Sequence, residues 1–372
     1  MLKLPGSTSQ FLDRYWQKEP LFIPRAVGRI QPSVTRNELA WLATLDDVES
    51  RLVFTQRSDH GVRYAAESGP FDTDYLAALP KRDWTLLVHD VEKHLPAMRR
   101  LFRHVPFVPD WRIDDLMVSF AAPGGGVGPH RDNYDVFLCQ GIGSRDWHVS
   151  TEEIADDPVA SDDLALLTPF SGQTHTVCEG DVLYLPPGVA HWGTATRACM
   201  TYSIGMRAPQ LTDLFPESHG DDNPHLFYAD PDLEVDESIP GYLSPNSLAR
   251  VEDLVGGRLG DYDAALALGC YITQTKDWLA PEGATDEEAA AILGADGAAL
   301  KLSVHGMARI AWDDRHIYAN GAFLARGGID AEWLAKLCAM RQFSVDRRND
   351  GEQAACLGWM LRMGVFELPE NS

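Results

Sequence analysis

The sequence predicts a mixed α and β protein whose middle third, residues 115 to 208, forms a β-sandwich or barrel. Three observations lead to that class. The runs LMVSF, DVFLC, WHVS, HTVC, DVLYLP and MTYSIGM are short, apolar or alternating, and separated by Gly/Pro clusters. Segments with helical spacing lie on both sides of them. The 372 residues suffice for two or three domains with a sizeable core and no covalent staples.

The elements follow in chain order. Ser7-Thr8-Ser9 precedes the run Phe11, Leu12, Tyr15, Trp16, which reads as a capped helix. Leu39 to Leu45 and Val91 to Phe102 also carry helical spacing, within a stretch of mixed helix and strand signals that ends near residue 110. The strand-rich third follows. From Glu217 to Glu237 there are eight acids and no Lys or Arg, with Pro interruptions, which predicts a solvated, irregular linker. Leu248, Val251, Leu254 and Val255 recur at helical spacing, Leu259 extends the stripe, and Ala264 to Leu268 follows a Gly-containing break. Then come a helix at Glu287–Leu293 and strands at Leu300–Ile310 and Ala311–Tyr318 around an Asp313-Asp314 turn. Helices at Ile329–Cys338 and Gln353–Met363 and a strand at Gly364–Leu368 complete a winged-helix-like pattern.

Composition narrows the function. Lys+Arg is 32 against Asp+Glu 55, a net charge of −23. Phosphates and anionic headgroups are repelled by such a surface, so direct nucleic-acid binding and membrane association are not expected; a basic protein partner is. No basic-then-apolar leader opens MLKLPGSTSQ, and no apolar run reaches the roughly 18 residues of a membrane span. Six scattered Cys with no CxxC give neither a zinc site nor a disulfide framework, so the expected compartment is the cytoplasm.

The chemistry concentrates in two stretches. PGGGVGPHRDNYDVFLCQGIGSRDWHV, residues 123 to 149, carries His130 and Asp132 two apart, a spacing that faces both side chains one way on a strand. GDVLYLPPGVAHWG, residues 180 to 193, ends a buried strand in a Pro-Pro-Gly turn and then presents His191. Two imidazoles and one carboxylate on a β scaffold make the facial triad that leaves positions open on Fe(II). The spacing from Gly180 to His191 also resembles the second motif of the cupin superfamily. HxD with no later Glu departs from four-ligand cupins and points toward 2-oxoglutarate-dependent oxygenases. His89, His104, His148 and His175 lack such a context and read as structural.

The run DDLMVSFAAPGGGVGPHRDNYDVFLCQGIGSRDWHV, then GDVLYLPPGVAHWG, then YSIGMRAP, resembles the bacterial JmjC-type ribosomal oxygenases. These are arginine hydroxylases of the large-subunit ribosomal protein L sixteen. The opening QFLDRYWQKEPLFIPRA is similar too, so the resemblance spans essentially the whole chain. It implies a double-stranded β-helix (cupin/JmjC jelly roll) catalytic domain over 1–210. A linker and helical dimerisation region over 211–280 and a winged-helix domain over 281–372 follow. His130, Asp132 and His191 are then the iron ligands, with 2-oxoglutarate and O2 as cosubstrates. Arg145 takes the distal carboxylate of 2-oxoglutarate, since a planar guanidinium offers two parallel donors. Ser119 donates a hydrogen bond to the same cosubstrate. Asp115, Tyr134 and Ser203 cradle the target arginine, with Met117 beside them as packing. The expected partners are a basic ribosomal protein and a second copy of the chain.

Other readings share parts of this pattern. A JmjC enzyme acting on histidine or methyl-lysine has the same triad and differs only in its substrate pocket. A ligand-sensing cupin fused to a winged helix is a regulator rather than an enzyme. Against it, residues 281 to 372 hold 14 acids and 9 bases, a net of −5, whereas a DNA-reading domain carries a basic face. The pair Arg347-Arg348 reads as an isolated surface feature. A storage cupin has no use for HxD and Arg145 together.

Overall fold

Antiparallel ladders in the strand-rich third build two facing sheets in the computed structural model, which describes residues 1–59, 61–152, 154, 158–159, 166–216, 226–257, 260–294, 299–346 and 351–367. The larger sheet draws on β1 (Leu21–Ile23), β2 (Ser50–Ser58), β3 (Gly61–Ser68), β4 (Trp84–Val88), β5 (Ile113–Ala121), β6 (Val136–Ile142), β11 (Val182–Leu185) and β13 (Cys199–Met206). Their order is β1-β11-β6-β13-β5-β4-β2-β3. The smaller sheet is β10-β7-β12, from Gln173–Cys178, Ser144–Val149 and His191–Ala195. Two short strands, Pro158–Val159 and Leu166–Leu167 (β8, β9), pair with each other.

Alternation decides what lies between the sheets. Val136, Leu138, Leu183 and Leu185 from the larger sheet meet Trp147, Val149 and Val177 from the smaller one. Each such side chain contributes roughly 1.5–3 kcal/mol by leaving water. The opposite face of the larger sheet is covered as well, which is why β13 is buried along its whole length. There α1 (Thr8–Arg14), the capped helix that the sequence predicts, with a capping box at Ser7, brings Phe11 to Tyr184 at a ring distance of 5.1 Å. Trp16 and Phe137 stand 6.0 and 4.9 Å from the same Tyr184 ring. The Tyr184 hydroxyl donates to buried Asp135 at 2.5 Å, and the Gln17 side chain donates to the other oxygen of Asp135 at 2.8 Å. Asp135 ends the segment that carries His130 and Asp132, so the aromatic cluster anchors the site from behind.

The chain divides into two compact units, the first comprising Met1–Pro106, Ile113–Met206 and Pro231–Leu233. The second holds α5 (Leu211–Leu214), α6 (Pro245–Val255), α7 (Ala264–Thr273), α8 (Asp286–Gly294), α9 (Ala331–Ala339) and α10 (Glu352–Arg362). Its strands are β14 (Ala299–Ser303) paired with β18 (Gln342–Asp346), and the meander β15 (Ile310–Trp312), β16 (His316–Ala319), β17 (Ala322–Ala325). The stripe predicted on α6 packs inside this unit: Val251 is buried with Leu268 and Ile272 of α7, and Leu248 and Leu254 lie against the same cluster.

Several expectations need correction. Val91 to Phe102 is not one helix. An α-helical turn at Val91–His94 (α4) gives way to a 3-10 segment at Pro96–His104, because Pro96 pushes Leu95 out of helical dihedrals, to φ −121° and ψ 82°. The predicted strand at Leu300–Ile310 stops at Ser303. Of Gly364–Leu368, only Phe366 bridges, to Val304, and Leu368 lies outside the described residues. The acidic linker is not uniformly solvated. Asp230 is buried against Arg112, with contacts of 2.8 and 3.0 Å, and Glu237 pairs with Arg250 at 2.8 and 2.9 Å. The rest of that run up to residue 225, with Leu259 and Arg347-Arg348, lies outside the described residues.

The Arg112–Asp230 pair generates a stability prediction. Both side chains are at most 1% exposed, so removing one leaves an uncompensated buried charge. Asp230→Ala is expected to cost about 3–5 kcal/mol, read as a lower denaturant midpoint. A variant within about 0.5 kcal/mol of the parent contradicts the pairing.

Candidate metal centre

The metal-ligating side chains come from two segments that a single backbone pairing joins. His130 N–H donates to the His191 carbonyl at 3.0 Å, and His191 N–H donates back to the His130 carbonyl at 2.8 Å. His191 opens β12, whereas His130 is a lone bridge residue and Asp132 lies in the irregular segment after it. The i/i+2 convergence holds without a regular strand, because the Asp132 carbonyl is pinned by Gly188 N–H at 2.8 Å. Gly188 itself has φ +79° in the Pro186-Pro187-Gly188 turn, a conformation that disfavours any side chain there.

That turn also aims the ring. The Val189 carbonyl just beyond it accepts from His191 Nδ1 at 2.9 Å, and the Gly128 carbonyl accepts from His130 Nδ1 at 2.9 Å. A carbonyl can only accept, so each Nδ1 carries a proton, which leaves Nε2 as the nitrogen each ring offers to a metal. One ligand atom from each of His130, Asp132 and His191 lies within 4.8 Å of the others, and His191 Nε2 stands 3.7 Å from Asp132 Oδ2. Burial, and next the neighbouring His130, push the His191 imidazole down to about 4, with Asp132 pulling the other way. The ring is therefore neutral at working pH, the form that ligates. Two imidazoles and a carboxylate, each oriented through its outer nitrogen or its backbone, fit a divalent iron of open coordination.

Beside the triad, β7 alternates Arg145, Trp147 and Val149 toward the space between the sheets. The Arg145 guanidinium sits 5.4 Å from the Trp147 ring, and that ring sits 5.8 Å from His191. Arg145 is 3% exposed, and its Nε and Nη2 find no acceptor among the described residues. A buried cation with two free donors is costly alone and fits an incoming carboxylate, so the donor set suits a 2-oxo dicarboxylate as it suits the metal. Room for this arginine depends on Gly193, where a Cβ would stand 2.6 Å from Arg145 Cδ.

The remaining predicted residues share one face of the larger sheet. Asp115, Met117 and Ser119 alternate along β5 opposite Gly205, Ser203 and Thr201 of β13. Ser119 and Ser203 are each 3% exposed. Tyr134 leaves its ring 40% exposed, and the charge of Asp132, burial and the charge of Asp115 hold its phenol well above the usual range. Trp147 has no role in the sequence patterns, and His89 reads there as structural. Trp147 stands two positions after Arg145, and strand alternation alone would have placed it beside the arginine. His89 contacts Asp115 at 3.1 Å, through a β4–β5 pairing with no local signal. His148 stacks on Trp192 at 4.4 Å and His175 packs on Phe22 at 5.1 Å, in structural roles as expected.

The triad predicts a specific linkage. Co(II) at about 100 times its Kd stabilises the protein by about 2.7 kcal/mol, visible as a raised Tm. Asp132→Ala, in an irregular segment rather than the core, loses most of that increment. An equal increment in the variant places the metal elsewhere.

Residues 100–214 match the JmjC domain family. The ribosomal protein uL16 3-hydroxylase of Escherichia coli is 37% identical over 259 residues, covering 66% of this chain and 65% of that protein. The probable ribosomal oxygenase of Haemophilus influenzae is 31% identical over 92% of this chain and 85% of its own length. The solved structure of the E. coli ribosomal oxygenase YcfD, in complex with cobalt and 2-oxoglutarate, aligns over 99% of both chains with a TM-score of 0.69 and 28% identity. A mixed α/β chain with a JmjC β core, matched along its length by these relatives, belongs to the JmjC-type ribosomal oxygenases.

Proposed function

We propose that this chain is an Fe(II)- and 2-oxoglutarate-dependent oxygenase that hydroxylates an arginine side chain of a large-subunit ribosomal protein, of the uL16 type by relationship. One observation carries the reading: a two-His, one-Asp cluster opens beside a buried guanidinium whose Nε and Nη2 have no acceptor among the described residues. When bound, the iron supplies, from O2 and the oxidative decarboxylation of 2-oxoglutarate to succinate, an oxidant strong enough for an unactivated C–H bond.

The protein's part is placement. His130, Asp132 and His191 hold the metal on one face, and the carbonyls of Gly128 and Val189 keep both rings in the ligating tautomer. Arg145 receives the distal carboxylate of 2-oxoglutarate as a two-donor fork, and Ser119 adds a hydrogen bond from the facing sheet. The apolar walls of Trp147, Leu138 and Val149 exclude water from that end. Asp115 offers a carboxylate for the substrate cation, Tyr134 a ring for its stem, Ser203 a hydroxyl, and Met117 packing. A carboxylate beside an aromatic ring favours a guanidinium over a neutral imidazole.

The same reading assigns residues 1–210 to catalysis, 211–280 to a linker and dimerisation region, and 281–372 to a winged-helix domain. A homodimer is supported by Val235, Ile239 and Tyr262, apolar side chains left 45%, 41% and 37% exposed in the middle segment. No helix among the described residues is long and apolar enough to cross a membrane, in keeping with the proposed cytoplasmic location. The net charge of −23 attracts a basic ribosomal protein and disfavours direct contact with RNA.

Mass spectrometry of ribosomal proteins incubated with enzyme, Fe(II) and 2-oxoglutarate tests the proposal. A one-oxygen gain on an arginine of uL16 is expected; turnover with the gain on another residue type overturns the arginine assignment. His130→Ala abolishes turnover in a folded protein. Arg145→Ala and Gly193→Ala both raise the KM for 2-oxoglutarate, the latter by about tenfold, since its Cβ displaces the arginine. An unchanged KM in both moves the cosubstrate site.

A further inference from the structure

We infer that His89 is a positioning residue for the target cation: it clamps one oxygen of Asp115 so that the other is presented, singly, to the substrate. This rests on the proposed role of Asp115. His89 Nδ1 lies 3.1 Å from Asp115 Oδ2, and Asp90 N–H points at the same oxygen from 3.4 Å. A carboxylate only accepts, so the proton sits on His89 Nδ1. Both donors converge on Oδ2.

Oδ1 has no hydrogen-bond partner among the described residues. It faces Gly205, where a Cβ would stand 3.2 Å from Oδ1 and 3.9 Å from the Tyr134 ring. The free oxygen, the exposed ring and a stretch of bare backbone therefore meet at one point. The χ2 torsion of an unrestrained Asp is soft, and without the clamp the carboxylate turns freely.

The clamp is built by the chain just after β4. The β4–β5 ladder ends at Val88 opposite Val118, and His89 N–H then goes to the Glu49 carbonyl at 2.9 Å. Asp90 follows in the left-handed region at φ 55°, which Asp tolerates better than most residues, and this turn directs its N–H to Asp115. The Asp90 carboxylate is held in turn by Lys93. Glu92 then accepts from Leu116 N–H at 2.9 Å, fastening α4 to β5 next to Asp115. His89 is not core filling, since its side chain is 35% exposed. Burial alone would lower its pKa, but the hydrogen bond and charge of Asp115, with Glu49 and Asp90, raise it and strengthen the contact.

With Oδ2 engaged, Asp115 meets the cation through Oδ1 alone. A symmetrical two-oxygen fork is disfavoured because Oδ2 already has two donors against it, and further donors of a guanidinium turn to Tyr134 or Ser203.

Steady-state kinetics on a synthetic arginine-containing uL16 peptide test this. His89→Leu raises the peptide KM by roughly tenfold to a hundredfold, with a far smaller effect on the KM for 2-oxoglutarate. His89→Asn, whose amide can donate to Oδ2, recovers most of the loss. A wild-type peptide KM in His89→Leu, a parallel rise in both KM values, or no recovery in His89→Asn overturns the clamp. If the wild-type enzyme consumes 2-oxoglutarate yet hydroxylates no arginine, the functional reading falls and the clamp with it; normal wild-type turnover with an indifferent His89→Leu removes the clamp alone.

Discussion

The reciprocal backbone pair between His130 and His191 is the constraint on which the site depends. Two hydrogen bonds join segments sixty-one positions apart and set the distance between two metal-ligating rings. The flanking contacts repeat the theme. Gly188 N–H holds the Asp132 carbonyl, Ser150 N–H holds the Ala190 carbonyl, and the Val189 and Gly128 carbonyls orient the rings. Metal geometry is thus written in main-chain hydrogen bonds, whose directions are stiffer than those of long side chains.

The second constraint is electrostatic. Arg145 is a permanent cation in a nearly dry space, with the Trp147 face against it. Burying such a group without an acceptor opposes folding, and natural proteins retain it where a ligand supplies the anion. The apolar contacts of Val136, Leu138, Leu183 and Leu185 with Trp147, Val149 and Val177 keep the two sheets together around it. Stability is therefore concentrated in the walls, and the site is where polar groups lack internal partners.

Much of this was legible in the chain. The strands of the middle third announced themselves because buried antiparallel strands need apolar runs, and turns between them need Gly and Pro. The metal ligands were legible because HxD and the Gly-Pro-Gly-His spacing are local patterns. Legibility failed where partners are distant. The hairpin Ser50–Ser58 and Gly61–Ser68 is half-exposed and rich in Arg, Gln and Glu, so its alternation is weak. Asp230 and Glu237 looked like solvated acids because nothing beside them in sequence indicates Arg112 or Arg250. The stripe on α6 looked available for a second copy, yet α7 of the same chain covers it.

The sequence by itself determined the mixed α and β class, the family and the three candidate metal ligands, because periodicity and motif spacing are properties of neighbouring positions. Tertiary structure decided which nitrogen of each histidine faces the metal. It also decided that Arg145 Nε and Nη2 have no acceptor among the described residues and that His89 meets Asp115. Each of these depends on strands brought together from far apart in the chain, where pairing register rather than local composition sets the distances between functional atoms.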